Sequence, residues 1–204
     1  NEWQAPPQPD PVPAIVEFRD QLAKRGIKLL VVPVPVKASI HPELLSSRYT
    51  AGGETVHNPS WEEFVARLEA AKVRVFDPAP LLREAAAAHD EPQYLATDTH
   101  WTPQAADLVA ESLAKTVRRM APLSKENRVR YSSREAAVGS SGDLAEMLEL
   151  PTLYPAQTVY PRVVTKPSGK PWKVGRSAEV LLLGDSFANI YSQEGLGWGA
   201  DAGL

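Results

Sequence analysis

Two uninterrupted apolar runs constrain the fold of this chain more than any other feature of its sequence. The first is "IKLLVVPVPV" at residues 27–36, and the second lies at residues 180–183 within "AEVLLLGDSF". A strand that is covered by helices on both faces is apolar throughout, whereas a half-exposed strand alternates polar and apolar residues. Both runs therefore predict buried strands of a parallel sheet. Pro33 and Pro35 predict that the first strand opens into a loop at its carboxyl end.

The segments around these runs have helical periodicity. It is found in four places, at about residues 14–26, 60–72, 80–89 and 103–120. The last helix has the clearest start, because Thr102 can serve as its N-cap and Pro103 can occupy its first position. A short strand is predicted at residues 73–77. Alternation of strands and helices predicts an α/β fold with three layers and a mainly parallel central sheet.

The ends and middle of the chain are less regular. A length of 204 residues suits one domain. Residues 1–13 contain many prolines, which predicts an extended lead-in. Residues 121–178 are polar and proline-rich, with a helix predicted near "GDLAEMLEL" and an extended piece at "QTVYPRVV".

Composition excludes several classes of protein and site. The formal net charge of −3 argues against a nucleic-acid binder, and no apolar run reaches the roughly 18 residues that span a bilayer. The chain has no cysteine, which excludes disulfides, thiolate metal sites and a cysteine nucleophile. One basic cluster predicts a solvated helix face and loop, with a docking patch for a polyanion as the alternative. Its members are Lys115, Arg118, Arg119, Lys125, Arg128 and Arg130.

The serine of "LLLGDSF" is the candidate nucleophile. Ser186 directly follows the second apolar run, and ligands of α/β sheets bind at the carboxyl ends of the strands. Gly184 permits a tight turn and the close approach of another backbone. Free N–H groups at the start of the following helix would stabilise an oxyanion beside Ser186 Oγ. The triplet also occurs as an ordinary strand-end turn, in which Asp185 or Ser186 caps a helix.

The stretch "LATDTHWTP" at residues 95–103 offers a base for that serine. Asp98 could hold the Nδ1 proton of His100, which leaves Nε2 to accept the proton of Ser186. In an extended segment, residues two apart face the same side. The alternatives are a surface loop or half of a metal site, and no further cluster of ligands at metal-binding spacing lies nearby. The other histidines are interpreted as structural or solvated: His41, His57 and His89.

Six residues are weaker candidates for substrate or oxyanion binding: Lys37, Trp101, Gly184, Asp185, Asn189 and Tyr191. Lys37 follows the first strand and could line the crevice or lie on the surface. Trp101 could stack on a sugar or pack beneath His100. Asn189 and Tyr191 could face the pocket or pack the helix. Trp198, in "LGWG", is interpreted as structural.

Four motifs together resemble the SGNH-hydrolase-like acetyltransferases of the alginate O-acetylation family, of the AlgX and AlgJ type. They are "VVPVPVKASIHPE", "ATDTHWTPQAA", "GDLAEML" and "LLLGDSFANIY", in that order. Ordinary SGNH hydrolases have the serine block first, whereas this family has the Asp and His block first, as here. The resemblance implies Ser186 as the acetyl-accepting nucleophile, His100 as general base and acid, and Asp98 as the residue that orients His100.

The resemblance also implies a setting and a reaction. It implies a periplasmic or otherwise extracytoplasmic enzyme that moves acetyl groups onto exopolysaccharide hydroxyls, with no cofactor and no metal. The acetyl group would be supplied through a membrane-bound O-acyltransferase partner. We expect residues 1–204 to form a single domain, truncated after the helix that Ser186 opens. The alternatives are a carbohydrate acetyl esterase with the same triad, or a catalytically silent polysaccharide-binding component of an export complex.

Overall fold

The fold is known from a computed structural model, which describes residues 10–50, 53, 56–89, 92–123, 129–150, 155–173, 175 and 177–202. Contacts divide the chain into two compact units. The first comprises Asn1–Pro33 and His57–Asp77, and the second comprises Val34–Val56 and Pro78–Leu204. The expected single domain stays a prediction.

The helices and strands follow in chain order. They are α1 (Val12–Ala23), β1 (Leu30–Val31), α2 (Lys37–Ile40), α3 (Trp61–Ala70), β2 (Arg74–Val75), α4 (Ala79–His89), α5 (Pro103–Met120), β3 (Ser132–Glu135), β4 (Val138–Ser140), α6 (Asp143–Met147), β5 (Gln157–Val159), β6 (Arg162–Thr165) and α7 (Ser186–Asn189). Two short 3-10 turns lie at Pro42–Leu44 and Glu194–Leu196. None of the helices in the described residues is both long and apolar enough to cross a bilayer.

The first unit places α1 and α3 beside the parallel pair β1 and β2. Val12, Leu68 and Val73 form its buried centre. Leu30 is the register partner of Arg74 in the parallel pair. The predicted helices and the short strand are confirmed. The first apolar run forms only the two-residue strand β1, and both of its residues are half-buried instead of fully buried. Helix α1 begins at Val12, inside the predicted extended lead-in, because proline is tolerated in the first turn of a helix. Residues 1–9 of that lead-in lie outside the described residues.

Helix α5 organises the second unit. The side chain of Thr102 accepts a hydrogen bond from the backbone N–H of Ala105 (3.3 Å), and Pro103 occupies the first turn. The helix buries Ala105 and Val109 and ends at Met120, so its predicted bounds are confirmed. A capped start with a proline is a local signal, which explains why the sequence alone located this helix.

Strands within residues 129–150 and 155–173 form two antiparallel pairs. Strand β3 pairs with β6, and β4 pairs with β5. The predicted helix near "GDLAEMLEL" is α6, and the predicted extended piece contains β5 and β6. In the described part of the chain, β1 and β2 are the one parallel pair. The mainly parallel central sheet therefore stays a prediction.

The prediction of a buried strand at residues 180–183 is wrong. This segment is irregular, and its side chains are exposed, with Leu181 at 77% and Leu183 at 73%. An apolar run becomes a strand only when another strand offers it unpaired N–H and C=O groups. No strand among the described residues pairs with this run, so it has no ladder partner.

Candidate active site

A tight loop between Tyr94 and helix α5 carries Asp98 and His100. The loop is closed by an antiparallel bridge between Tyr94 and Trp101 and by a hydrogen bond from the Leu95 N–H to the His100 carbonyl (3.0 Å). Its curvature brings His100 Nδ1 to 2.6 Å from Asp98 Oδ1. Both side chains are buried, with 2% of Asp98 and 7% of His100 exposed. The structure therefore joins the two residues that the "DTHW" motif singled out.

The second carboxylate oxygen of Asp98 is held from two other parts of the chain. Oδ2 accepts hydrogen bonds from the backbone N–H of Asp143 (3.0 Å) and from Trp198 Nε1 (2.8 Å). Burial acts to raise the pKa of Asp98, but these bonds and the two from His100 outweigh burial and lower the pKa to about 2. Asp98 is thus a carboxylate at neutral pH, and its Oδ1 accepts a hydrogen bond from the Nδ1–H of His100.

This arrangement leaves Nε2 of His100 without a hydrogen-bond partner among the described residues. With the proton on Nδ1, the lone pair of the neutral ring is on Nε2. Nε2 is buried and has no hydrogen-bond partner in the described residues. The ring of Phe187 lies against the His100 ring, with 4.8 Å between the ring centroids. A buried nitrogen without a partner is uncommon in folded proteins and points to a role outside structural stability.

Ser186 is the residue before Phe187 and begins the four-residue helix α7. The Asp185 side chain caps this helix and accepts the N–H of Phe187 (3.0 Å), so that N–H is already engaged. In the described residues, Ser186 Oγ makes no hydrogen bond to His100 Nε2. The structure therefore places the segment of Ser186 beside His100, without a hydrogen bond between Ser186 Oγ and His100 Nε2.

The turn before Ser186 is fixed by two of the weaker candidates. Asn189 Nδ2 donates to the Asp185 carbonyl (2.9 Å), so this amide is engaged with the turn. A Cβ added at Gly184 would lie 2.4 Å from the Cβ of Ala188. The predicted close approach at Gly184 is thus present, but the neighbour is a side chain and not another backbone.

Lys37, at the start of α2, holds the loop of Asp98. Its Nζ donates to the carbonyls of Leu95 (2.5 Å), Ala96 (2.9 Å) and Asp98 (3.1 Å). Burial lowers the pKa of Lys37, and the negative charges of Asp98 and Asp143 partly oppose that change. The ammonium group therefore fixes the backbone of the loop.

Trp101 and Tyr191 lie beneath the site. Trp101 has no exposed surface, and its ring meets the ring of Phe187 edge-on, with 5.3 Å between the centroids. The Tyr191 hydroxyl donates to the Trp101 carbonyl (2.6 Å), and burial raises the pKa of that hydroxyl. In this structure, both side chains pack the interior instead of facing a ligand.

Sequence reasoning missed two residues of the site, Asp143 and Trp198. Asp143 accepts the Thr99 N–H (2.8 Å) and the Thr99 hydroxyl, and its own N–H reaches Asp98. Trp198 was interpreted as structural, yet its indole N–H binds Asp98 from 100 positions away. A signal for Asp143 was present in Gly142, because a glycine before a helix often marks a close backbone approach. No comparable local signal marked Trp198.

Gly142 allows that approach. Its φ is +84°, and an added Cβ would lie 2.3 Å from the Thr97 carbonyl oxygen. Any side chain at this position would push α6 away from the loop that carries Asp98. The glycine is therefore required by both the backbone angle and the close approach.

Asp98, His100 and Asp143 also form a cluster with metal-ligating atoms within 4.8 Å of one another. The donor set fits a metal ion poorly. Both oxygens of Asp98 already accept N–H groups, and both oxygens of Asp143 accept donors from Thr99. A cation would displace four or more good hydrogen bonds, so the cluster is a hydrogen-bond network that orients His100.

Comparisons with known proteins identify the family to which the chain belongs. Residues 1–193 match the family model described as "SGNH hydrolase-like domain, acetyltransferase AlgX". The chain is 34% identical to a probable alginate O-acetylase AlgJ of Pseudomonas fluorescens over 69% of this chain and 35% of that protein. It is 30% identical to the probable alginate O-acetylase AlgJ of Pseudomonas syringae pv. tomato over 87% of this chain and 44% of that protein.

Solved structures give the same fold. The O-acetyltransferase domain of Pseudomonas putida AlgJ superposes with a TM-score of 0.60 and 24% identity, over 78% of this chain and 56% of that chain. Pseudomonas aeruginosa AlgX superposes with a TM-score of 0.60 and 22% identity, over 78% of this chain and 39% of that chain. The chain spans less than half the length of the two AlgJ relatives from Pseudomonas fluorescens and Pseudomonas syringae pv. tomato. It has an SGNH-hydrolase-like fold and belongs to the family of SGNH-hydrolase-like domains of the acetyltransferase AlgX.

Proposed function

We propose that this chain is a serine-dependent O-acetyltransferase that moves acetyl groups onto hydroxyls of an exopolysaccharide such as alginate. One observation supports the proposal most strongly. The Nδ1 of His100 is 2.6 Å from the ionised Asp98, while its buried Nε2 has no partner among the described residues. A histidine held in this way is a general base that lacks only its nucleophile, and the segment of Ser186 lies next to it.

The reaction divides into two acyl transfers. Ser186 Oγ attacks the carbonyl carbon of an acetyl ester while His100 Nε2 takes the hydroxyl proton, and the tetrahedral intermediate collapses when His100 returns that proton to the departing donor oxygen. A sugar hydroxyl then attacks the acetyl-serine and gives its proton to Nε2. Collapse of the second intermediate returns this proton to Ser186 Oγ and leaves the acetyl ester on the sugar. Asp98 stabilises the imidazolium in both steps without taking its proton.

The proposal requires Ser186 Oγ to approach His100 Nε2 when substrate binds. Residues 180–185 before it are irregular and exposed, so few packing contacts oppose a change in their position. Hydrogen bonds of a catalytic site are often long in the free enzyme and shorten in the complex. Phe187 covers the imidazole ring in the free form, and its side chain would move as the serine arrives.

The names of the relatives support the substrate class. Two curated relatives are described as probable alginate O-acetylases, which is a statement about those proteins. By extension, the acceptor of this chain is a polysaccharide hydroxyl, and its setting is periplasmic or otherwise extracytoplasmic. Its acetyl group comes through a membrane-bound O-acyltransferase partner. Each of these points is part of the proposal.

The test is acetyl release from p-nitrophenyl acetate with and without oligosaccharide acceptors. The proposal expects nitrophenol release that depends on Ser186 and His100, with acetyl appearing on an acidic oligosaccharide. Ser192→Ala is the matched control, because Ser192 is exposed and its hydroxyl reaches the Asn189 carbonyl instead of the site. Serine-dependent release of acetyl to water alone would favour an esterase. Glycan binding without any serine-dependent release would favour a silent binding component.

A further inference from the structure

The outward face of the β3–β6 sheet carries aromatic and basic side chains that the active site does not use. The register pairs Ser133 with Val164 and Ser132 with Thr165. Side chains alternate along a strand, and Val163 and Thr165 are the buried set, at 4% and 8% exposure. The opposite set, which includes Val164, therefore faces solvent.

A third extended segment lies along the other edge of β6. Thr165 bridges Pro171, and the Trp172 N–H donates to the Val164 carbonyl (2.8 Å). The Lys166 N–H donates in the same way to the Lys170 carbonyl (2.8 Å). Trp172 thus stands beside Val164, and Lys170 stands beside Lys166, all on the solvent face.

Tyr131 completes this face from the β3 side. Continuing the β3–β6 register by one residue places Tyr131 opposite Lys166. Tyr131 and Trp172 are 48% and 46% exposed, and the lysines are also exposed. We call this set the aromatic platform: Tyr131, Val164, Lys166, Lys170 and Trp172. Exposed rings of this size in a row mark binding surfaces more often than isolated exposed residues do.

The charge around the platform is opposite to that of the chain. Residues 129–135 and 155–173 contain six basic residues and one acidic residue, a local net charge of +5 in a chain of net charge −3. Arg162 is paired with Asp107 at 3.3 Å, and the other basic residues are Arg130, Arg134, Lys166, Lys170 and Lys173. A local positive potential on a negative protein favours an anionic partner.

We propose that the aromatic platform binds a segment of an acidic polysaccharide, namely a chain of uronic acid sugars. The apolar C–H face of a sugar ring stacks on Trp172 or Tyr131, while the carboxylates lie beside Lys166 and Lys170. The choice of a uronide as occupant rests on the proposed function, and the charge pattern agrees with it. A neutral glycan would gain only from the rings, and a polyanion without sugar rings would gain only from the lysines.

The platform is connected to the active-site loop through two consecutive strands, β5 and β6. Gln157 Oε1, at the start of β5, accepts the N–H of Ala96, two residues before Asp98. Strand β5 then runs into β6, and seven residue steps separate Gln157 from Val164. This is at most about 23 Å of extended chain. A polymer held on the platform would raise the effective concentration of its other hydroxyls near His100.

The test measures binding of a fluorescent oligomer of mannuronic acid to the full 204-residue chain carrying Ser186→Ala, so that binding is independent of catalysis. We expect Trp172→Ala and the pair Lys166→Ala with Lys170→Ala each to weaken binding at least about fivefold. The lysine pair should also reduce the salt dependence of binding. The matched control is Lys24→Ala with Arg25→Ala, which removes the same charge from exposed positions directly after α1 and should leave binding unchanged. Circular dichroism checks that each variant is folded.

Three results would overturn the proposal. The first is equal weakening by the control pair Lys24→Ala with Arg25→Ala, which would mean that only net charge matters. The second is unchanged binding in Trp172→Ala. The third is binding of a DNA oligonucleotide of equal charge as tightly as the uronide, with the same dependence on Trp172. Because Ser186 is absent throughout, a failure of the acetyl-transfer assay leaves this test intact, and the two failures can be told apart.

Discussion

The hydrogen bond from Trp198 to Asp98 gives the account a quantitative test of stability. Trp198 is fully buried, and its indole N–H lies 2.8 Å from an oxygen of a carboxylate that is 2% exposed. Trp198→Phe keeps an aromatic ring but removes the N–H. A hydrogen bond to a charged group contributes roughly 1.5–3 kcal/mol, so losing this one should cost about 2 kcal/mol beyond the loss of ring volume.

The chain contains a matched control for ring volume. Trp101 is also fully buried, but its Nε1 has no hydrogen-bond partner in the described residues. Trp101→Phe therefore makes the same change of side chain without breaking a hydrogen bond. The difference in the free energy of unfolding between the two variants isolates the bond to Asp98.

Equilibrium urea unfolding at pH 7, followed by far-UV circular dichroism, measures both costs. We expect Trp198→Phe to lose about 2 kcal/mol more than Trp101→Phe, with an unchanged denaturant slope. In an Asp98→Asn background the extra cost should disappear, because the ionised acceptor is gone. Equal costs for the two tryptophan variants in the wild-type background would refute the reasoning.

Three further predictions concern the loop and its charge. Gly142→Ala should lower the free energy of unfolding in urea by about 3 kcal/mol, because its Cβ would lie 2.3 Å from the Thr97 carbonyl oxygen. Gly169→Ala is the control: its φ is +77° but the space around it is open, so it should cost only about 1 kcal/mol. Lys37→Met should lower kcat for acetyl release roughly tenfold with little change in KM, because the carbonyls of the Asp98 loop lose their hydrogen-bond donor. A change in KM alone would contradict this prediction. The pKa of Asp98 is lowered from 3.8 to about 2, so its contribution to stability is complete above about pH 4 and is lost as the pH falls toward 2. Wild-type protein should therefore lose about 2 kcal/mol more than Asp98→Asn between pH 5 and pH 2 in urea titrations, and parallel losses would show that Asp98 is not held as described.

Local signals explain the parts of the fold that the sequence predicted correctly. Helix α5 begins at Pro103 and ends at Met120 as expected, because its cap and first proline are adjacent in sequence. The pairing of Asp98 with His100 is likewise short-range, since a two-residue separation needs only a bend. In both cases the information that sets the geometry lies within a few positions.

Long-range contacts explain the parts that it did not predict. Trp198 reaches Asp98 across 100 positions, and nothing near Trp198 indicates the contact. Asp143 reaches Asp98 across 45 positions, and Gly142 indicates a close backbone approach there without indicating its partner. The failed strand at residues 180–183 has the same origin. Its apolar run indicates a preference for burial but does not say which strand would pair with it. The aromatic platform also depends on the β3–β6 register, which a polar, proline-rich segment does not reveal.

The central claim is that Ser186 carries the acetyl group, and one measurement tests it directly. The chain is mixed with p-nitrophenyl acetate, quenched with acid within the first turnover, and examined by intact mass and peptide mapping. We expect a mass increase of one acetyl group located on Ser186, absent from Ser186→Ala, reduced in His100→Ala and retained in Ser192→Ala. Acetylation at another residue, or an acetyl group that persists in Ser186→Ala, would contradict it.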